Sequence, residues 1–449
     1  MGRSGRSIRL LAMGSLLAAV LGACTAGATP TPGVSVGPSV AAGVTAAPSA
    51  ASPGSSAATP TPAPSVTAGA SATPAPTPAP TAKPSAATGR KLGTLPPPPP
   101  PPPGYANLIL YRTPIKGSLN GWFSLIKYDG TGNQKLALGR YAHWNSNGSA
   151  VEVIAYDSSC VPSLKVYPVG GGAATSVSIP FAAGDDAFGW TPDGTRLSFY
   201  RNPNGYHCNG INLITNRDLY TVKADGTGLT NVAPGLPRVE PTSWVPDGSA
   251  VVIARHAALN DVGPVQRITV ATKSVTQILA SGTYAAVNVS PDGKLLAYTK
   301  YVGTQWRMHV TSNVGTGPAN VRHQDYDLGV ANGQDVYGVW GSDSGHLAVV
   351  RQQPDAVLGS GTFIEYYQYD PTKKTNAWGV YCGSLLTSNA EGNLDWSPDD
   401  SLLAASTISN FGTGQASVGK ILIGDAGGKG ALFLDGTEGD DWLAWQPWP

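Results

Sequence analysis

Seven acidic residues recur at one place in a repeating pattern, and carboxylates gathered that way can hold a hard cation such as Ca²⁺ or attract a basic partner. They are Asp185, Asp186, Glu240, Asp335, Glu391, Asp440 and Asp441, each four or five residues ahead of a tryptophan. The first and last share a local sequence, Gly184-Asp185-Asp186-Ala187-Phe188-Gly189-Trp190 against Gly439-Asp440-Asp441-Trp442-Leu443-Ala444-Trp445. The plainer reading makes them solvated polar residues where strands start at the surface. On sequence alone the plainer reading has the greater weight. Beyond Ca²⁺, no cofactor is indicated.

Other reactive side chains give less. No G-x-S-x-G nucleophile elbow occurs, and His143, His207, His256, His309, His323 and His346 form no pair at ligand spacing. His143 precedes a repeat tryptophan and His346 follows a turn, so each reads as structural or surface histidine. Cys160 and Cys208 fall in corresponding loops of consecutive repeats, where an exported protein permits a disulfide. Whether they pair depends on a Cα separation that sequence does not show. Cys382 would then remain a buried thiol, and no CxxC spacing suggests zinc.

The elements that must position these residues are announced by the tryptophans. Trp190-Thr191-Pro192-Asp193-Gly194 returns as Trp244-Val245-Pro246-Asp247-Gly248 and Trp396-Ser397-Pro398-Asp399-Asp400. Val289-Ser290-Pro291-Asp292-Gly293 carries valine instead, Trp144 and Trp340 open weaker copies, and Trp445-Gln446-Pro447 is truncated. The spacings of 46, 54, 45, 51, 56 and 49 residues mark a repeat architecture. Proline presets φ, aspartate bonds its own backbone and glycine supplies φ > 0, so each copy is a hairpin turn. Apolar runs such as Leu197-Ser198-Phe199-Tyr200 and Val251-Val252-Ile253-Ala254 leave the turn as strands. A third strand, as in Leu219 to Lys223, and a short fourth complete a propeller blade. The tryptophans read as packing between blades.

Six copies each open a full blade. Three strands before the first copy, starting at Asn107 to Tyr111, have no inner strand of their own, and Trp442-Leu443-Ala444-Trp445 supplies it. The expectation is an all-β, seven-bladed β-propeller of four-stranded antiparallel blades. The C-terminal strand closes it and leaves no open seam. Inner strands line the channel, so the acids would converge at one of its mouths, on the face that carries the cysteine loops.

These turns and strands resemble the TolB-like, PD40 or WD40-like propeller repeat, over about residues 105 to 449. The resemblance implies the propeller fold. TolB itself is a soluble periplasmic protein with an extra N-terminal α/β domain, six blades and a peptidoglycan-associated lipoprotein partner. This chain departs from it in lacking that domain, in its seventh blade and in a lipid signal of its own, so TolB's partner is not carried over. Propellers of this kind also precede prolyl-oligopeptidase-like hydrolase domains, whereas here the sequence ends as the ring closes.

That lipid signal occupies the N-terminus. Arg3, Arg6 and Arg9 precede an apolar stretch from Leu10 to Ala23, too short to span a bilayer. It ends Leu21-Gly22-Ala23-Cys24, a bacterial lipobox whose Cys24 would receive the lipid. Residues 1–23 are therefore read as a lipoprotein signal peptide and 24–103 as a disordered Pro/Ala/Thr/Ser-rich stalk closed by eight prolines. Residues 104–449 form the propeller. Beyond Pro103 stand 23 Lys and Arg against all 28 Asp and Glu, a formal charge of −5, which argues against nucleic acid.

The expected protein is a monomeric propeller anchored to the membrane by lipid, facing the outside or periplasm of a bacterium. It would bind an envelope protein, peptide or glycan, with Tyr206, Tyr284 and Trp306 as natural contact aromatics, each of which reads more simply as an ordinary rim residue. A purely structural scaffold ranks second. A lactonase-, lyase- or glycoside-active enzyme using a channel cation ranks third.

Overall fold

The computed structural model describes residues 98–449 apart from 116–117, 119, 193, 202–216, 237–241, 256–261, 316–323, 330–332, 354–360, 370–377, 388–393, 407–419, 426–430, 435–436, 438–441 and 449. Cys24, Cys208, Glu240, Glu391, Asp440 and Asp441 therefore lie outside the described residues, as do the signal segment and nearly all of the stalk.

Among the described residues every regular element is a strand, and the strands form seven four-stranded antiparallel sheets. Six sheets use four consecutive strands. In the remaining one, blade 1, Trp442–Trp445 pairs with Leu108–Pro114, followed by Gly121–Lys127 and Gln134–Gly139. Ile109 stands opposite Trp445 and Arg112 opposite Trp442, which is the closure expected from the truncated last repeat. The first strands of blades 2 to 7 are Tyr141–Trp144, Asp186–Trp190, Thr242–Trp244, Tyr284–Val289, Gln334–Trp340 and Leu394–Trp396. First strands of adjacent blades lie against one another, as Thr242–Trp244 does against Tyr284–Val289, so they make the inner ring.

The turn chemistry explains the repeat. In blades 5 and 7 the hydroxyls of Ser290 and Ser397 donate to Asp292 and Asp399 at 2.6 Å and accept from Leu295 N and Leu402 N at 2.9 Å. The turn's left-handed position nests against the preceding blade. A Cβ on Gly148 (φ 68°) would sit 2.2 Å from Pro447 O. Ser344 (φ 60°) and Asp400 (φ 59°) hold that position in blades 6 and 7. Each uses its side chain on the preceding turn: Asp292 N donates to Ser344 Oγ at 2.9 Å, and Ser342 N to Asp400 at 2.8 Å.

The repeat tryptophans are buried between blades, Trp396 most completely at 1 % exposure. They also donate. The indole N–H groups of Trp144, Trp340 and Trp396 reach Ala444 O (3.1 Å), Asn288 O (2.9 Å) and Val339 O (3.0 Å) of the preceding blade. The acceptor is each time the residue just before the repeat position. Trp244 reaches the same place through a relay, donating to Ser198 Oγ (3.2 Å), which donates to Gly189 O (2.7 Å).

Side chains at that preceding position tie forward as well. His143 Nε2–H donates to Phe188 O (2.9 Å) and Asn288 Nδ2 to Gly338 O (3.1 Å), while Ser243 accepts from Val289 N and Asp395 from Trp445 N (2.8 Å each). Every one of the seven seams thus carries at least one polar tie. Gln446 fastens the closure: its amide donates to Gly148 O at 2.8 Å, and its carbonyl accepts from Ala106 N at 3.2 Å.

Trp396→Phe removes a donor and strands a buried carbonyl, whereas the Trp190 indole N–H has no hydrogen-bond partner to lose. We expect Trp396→Phe to cost about 1–2 kcal/mol more than Trp190→Phe, read from urea midpoints.

Candidate functional site

The inner strands start at the mouth opposite the repeat turns, and there the described acids are already engaged. Asp185 is fully buried. Its two oxygens accept from Arg201 Nε (2.8 Å) and Nη2 (2.7 Å), and Oδ2 also accepts from Ala182 N (2.7 Å). Arg201 further donates to Pro180 O, in the segment arriving from blade 2, at 3.0 Å.

Asp335 in blade 6 repeats this arrangement. It accepts from Arg351 Nε and, at 2.7 Å, from Met308 N of blade 5. Arg351 Nη2 donates to Leu328 O at the end of blade 5, at 2.8 Å, and Nη1 bonds Glu365 and the Tyr367 hydroxyl. Arg351 has no exposed surface. Burial alone would lower its pKa, but Tyr367, Asp335 and Glu365 outweigh that and raise it.

In both blades acid and arginine are 16 residues apart, one at the start of the first strand and the other on the second; in blade 6 the two are register partners. The function of this pair is mechanical: an ion pair, bidentate in blade 3 and single in blade 6, whose arginine also pins the segment from the preceding blade. The signal was present in sequence as an arginine at the end of the apolar second strand. It was invisible without the register. A hard cation at Asp185 or Asp335 would have to displace a bonded guanidinium.

Asp186 differs. Its side chain keeps 17 % exposure, and it is ringed by Tyr141, which donates to Oδ1, by the Tyr156 hydroxyl at 3.2 Å and by Arg140 at 3.6 Å. The Arg140 guanidinium lies over both rings, 5.5 Å from the Tyr141 centroid and 5.6 Å from that of Tyr156. Burial, then the nearby Asp186 charge, pushes Tyr141 up to about 12, so the hydroxyl stays a donor. Tyr156 also donates to Asp185 O at 2.5 Å. The Cys160 loop closes this knot, its carbonyl accepting from Gly184 N at 3.0 Å, which places loop and acids on one face. Cys160 is disulfide-bonded, while Cys208 lies outside the described residues.

At the opposite face, Asp343, His346 and Asp400 bring ligand atoms within 4.8 Å of one another, the group among the described residues with metal-like spacing. Asp343 accepts from Gly345 N and His346 N and holds His346 Nδ1 at 2.6 Å. Asp400 accepts from Ser342 N and Oγ. These bonds brace the turns of blades 6 and 7. His346 is bonded to Asp343 within its own turn, and Asp400, the third member of the group, belongs to the next repeat.

The remaining expectations divide. Tyr284 is not a rim contact: it is 3 % exposed, packed in the core with its hydroxyl on Ala280 O. The reason is register, since its side chain points into the seam with Tyr298. Trp306 is half-buried on a hairpin beside Tyr301, ring centroids 5.2 Å apart. Tyr206, His207, His256 and His323 lie outside the described residues. His309 stacks on Tyr298. His143 is buried, and desolvation pushes it down to about 4 against its bond to Phe188, so it is a neutral structural donor.

No family model and no curated protein matches the chain. Solved structures do. A functionally unknown protein from Desulfotomaculum acetoxidans is similar at 12% identity, with 76% of this chain and 100% of that one covered and a TM-score of 0.52. TolB from Acinetobacter baumannii is 13% identical over 73% of this chain and 79% of its own, TM-score 0.45. An oligogalacturonate lyase in complex with manganese is 14% identical over 72% and 83%, TM-score 0.47. The likeness is one of fold.

Removing one member of the blade 6 lock exposes its structural role. We expect Arg351→Met to cost about 3–5 kcal/mol, because it leaves Asp335 and Glu365 buried without their cation. Arg351→Met with Asp335→Leu should recover part of that loss, and thermal melts of both variants check it.

Proposed function

We propose that this protein is a lipid-anchored bacterial envelope protein whose propeller binds a protein, peptide or glycan outside the membrane, using the mouth at blades 2 and 3. One observation carries the reading. Arg140, Tyr141 and Tyr156 are held around the partly exposed Asp186 by bonds to it and to one another, and Tyr156 also bonds the backbone of buried Asp185. Tyrosine and arginine dominate binding hot spots, and side chains ordered beforehand lose little freedom on contact. The anchor rests on Leu21-Gly22-Ala23-Cys24 behind an apolar stretch, and the stalk on the composition of residues 24–103. The scaffold reading lacks a feature of its own. An enzyme using a channel cation would need Asp185 and Asp335 to exchange arginine for an ion.

Two measurements test this. Metabolic labelling with an alkyne fatty acid should tag the full chain, and Cys24→Ser should lose both the tag and membrane sedimentation; an unlabelled wild type refutes the anchor. A photo-crosslinking residue at Ser158, exposed on the mouth-face loop, should give discrete adducts in cells that Arg140→Ala diminishes. The same residue at Lys294 on the turn face should not. Equal adducts from both faces would refute the assignment of the mouth.

A further inference from the structure

Along the second strand of blade 2 (Ala150–Tyr156), Glu152, Ile154 and Tyr156 share one face, because side chains alternate. Ile154 and Tyr156 pack with Phe188, Trp190, Leu197 and Phe199 in the apolar seam against blade 3. Glu152 is set into the same seam, with His143 as its register partner. The corresponding position one blade on is Ser198, paired with Gly189 just before Trp190 as Glu152 is paired with His143 just before Trp144. There a hydroxyl links the inner-strand carbonyl to the indole of Trp244. At the Glu152 position the link is missing on both sides. Glu152 Oε2 and Trp190 Nε1 are each buried without a hydrogen-bond partner.

Glu152 as a whole is partly exposed, but with Oε2 buried and unpartnered its charged form is disfavoured there. Among the described residues no cation answers it. The titratable groups on that side are His143 and Tyr141 on the first strand, Tyr156 on its own strand, and Asp185, Asp186, Arg201 and Tyr220 of blade 3. Arg140 lies nearby at the mouth. Arg140 is spent on Asp186 and two tyrosine rings, and Arg201 on Asp185. His143 is neutral and donates to Phe188 O. Burial accordingly pushes Glu152 up to about 8.

We propose that the seam between blades 2 and 3 is a proton-operated latch, closed while the Glu152 carboxyl holds its proton and loosened when the proton leaves, freeing the His143–Phe188 tie and the turn that carries Asp185 and Asp186. The latch stands whether or not the mouth binds a partner. Its sign follows from linkage. A carboxyl raised in the folded state withholds a proton that the opened state releases, so closure weakens as pH rises from the unfolded carboxyl value toward about 8. His143, lowered when folded, acts the other way below about pH 6.5. Between pH 6.5 and 8 the Glu152 effect stands alone.

Hydrogen exchange with mass spectrometry on the purified protein, corrected for the intrinsic pH dependence, tests it. Protection in peptides from 141–156 and 186–201 should fall about tenfold between pH 6.5 and 8, with a ceiling of roughly tenfold per pH unit. Peptides from 284–311 in blade 5 should hold theirs. Glu152→Gln should abolish the fall, and so should Glu152→Ser, which copies the Ser198 bridge and decides the matter if the glutamine variant does not fold. A wild type without the fall, or a fall that persists in the variant, overturns the proposal.

Discussion

One polar tie, repeated around the ring, does what hydrophobic packing alone does not. Buried indoles and aliphatic side chains hold adjacent blades together, but apolar contact is non-directional and would let neighbouring sheets slide. The bond from a repeat tryptophan to the carbonyl just before the preceding repeat position sets the register between blades. Polar side chains at that preceding position add a second bond forward, as His143 and Asn288 show. Because the acceptor belongs to the inner strand, each blade is located by the one before it. The chain of ties closes where Trp445 N meets Asp395 and Trp144 meets Ala444.

Seams that share a design still differ in where their polar ties fall. Blades 5 and 6 are joined by two Asn288 and Trp340 bonds and by the buried Arg351 bridge. Blades 2 and 3 have the His143 bond and the Tyr141, Tyr156 and Arg140 contacts to Asp185 and Asp186, but inside the seam an indole N–H and one carboxyl oxygen lack partners. That seam also bears the knot of Arg140, Tyr141, Tyr156 and Asp186. That seam therefore combines two unpartnered polar atoms in its interior with dense polar bonding at the mouth.

Much of the fold was legible because its signals are local. Turn residues, strand runs and a period near 50 residues are properties of neighbours in sequence, and the missing inner strand of blade 1 could be counted. The mouth acids were legible as a recurring position and illegible as chemistry. Asp185 and Asp335 invite a cation when only their own strand is read, yet each faces an arginine 16 residues later. Tyr284 was read as a loop aromatic when its strand begins there. Asp343, His346 and Asp400 meet only because two repeats are side by side.

The amino-acid sequence by itself determined the architecture: an all-β ring of seven blades, shut by its last strand, with tryptophans between the blades. Tertiary structure alone decided which partners the described buried acids meet. A strand's conformation depends on residues a few positions away, whereas a carboxylate's charge depends on whatever lies within a few ångströms, and in this ring that is set by the neighbouring strand and the neighbouring blade. Glu152 is the clearest instance. Its sequence context is an ordinary alternating strand, and only the apolar face of blade 3 raises the pH at which it gives up its proton.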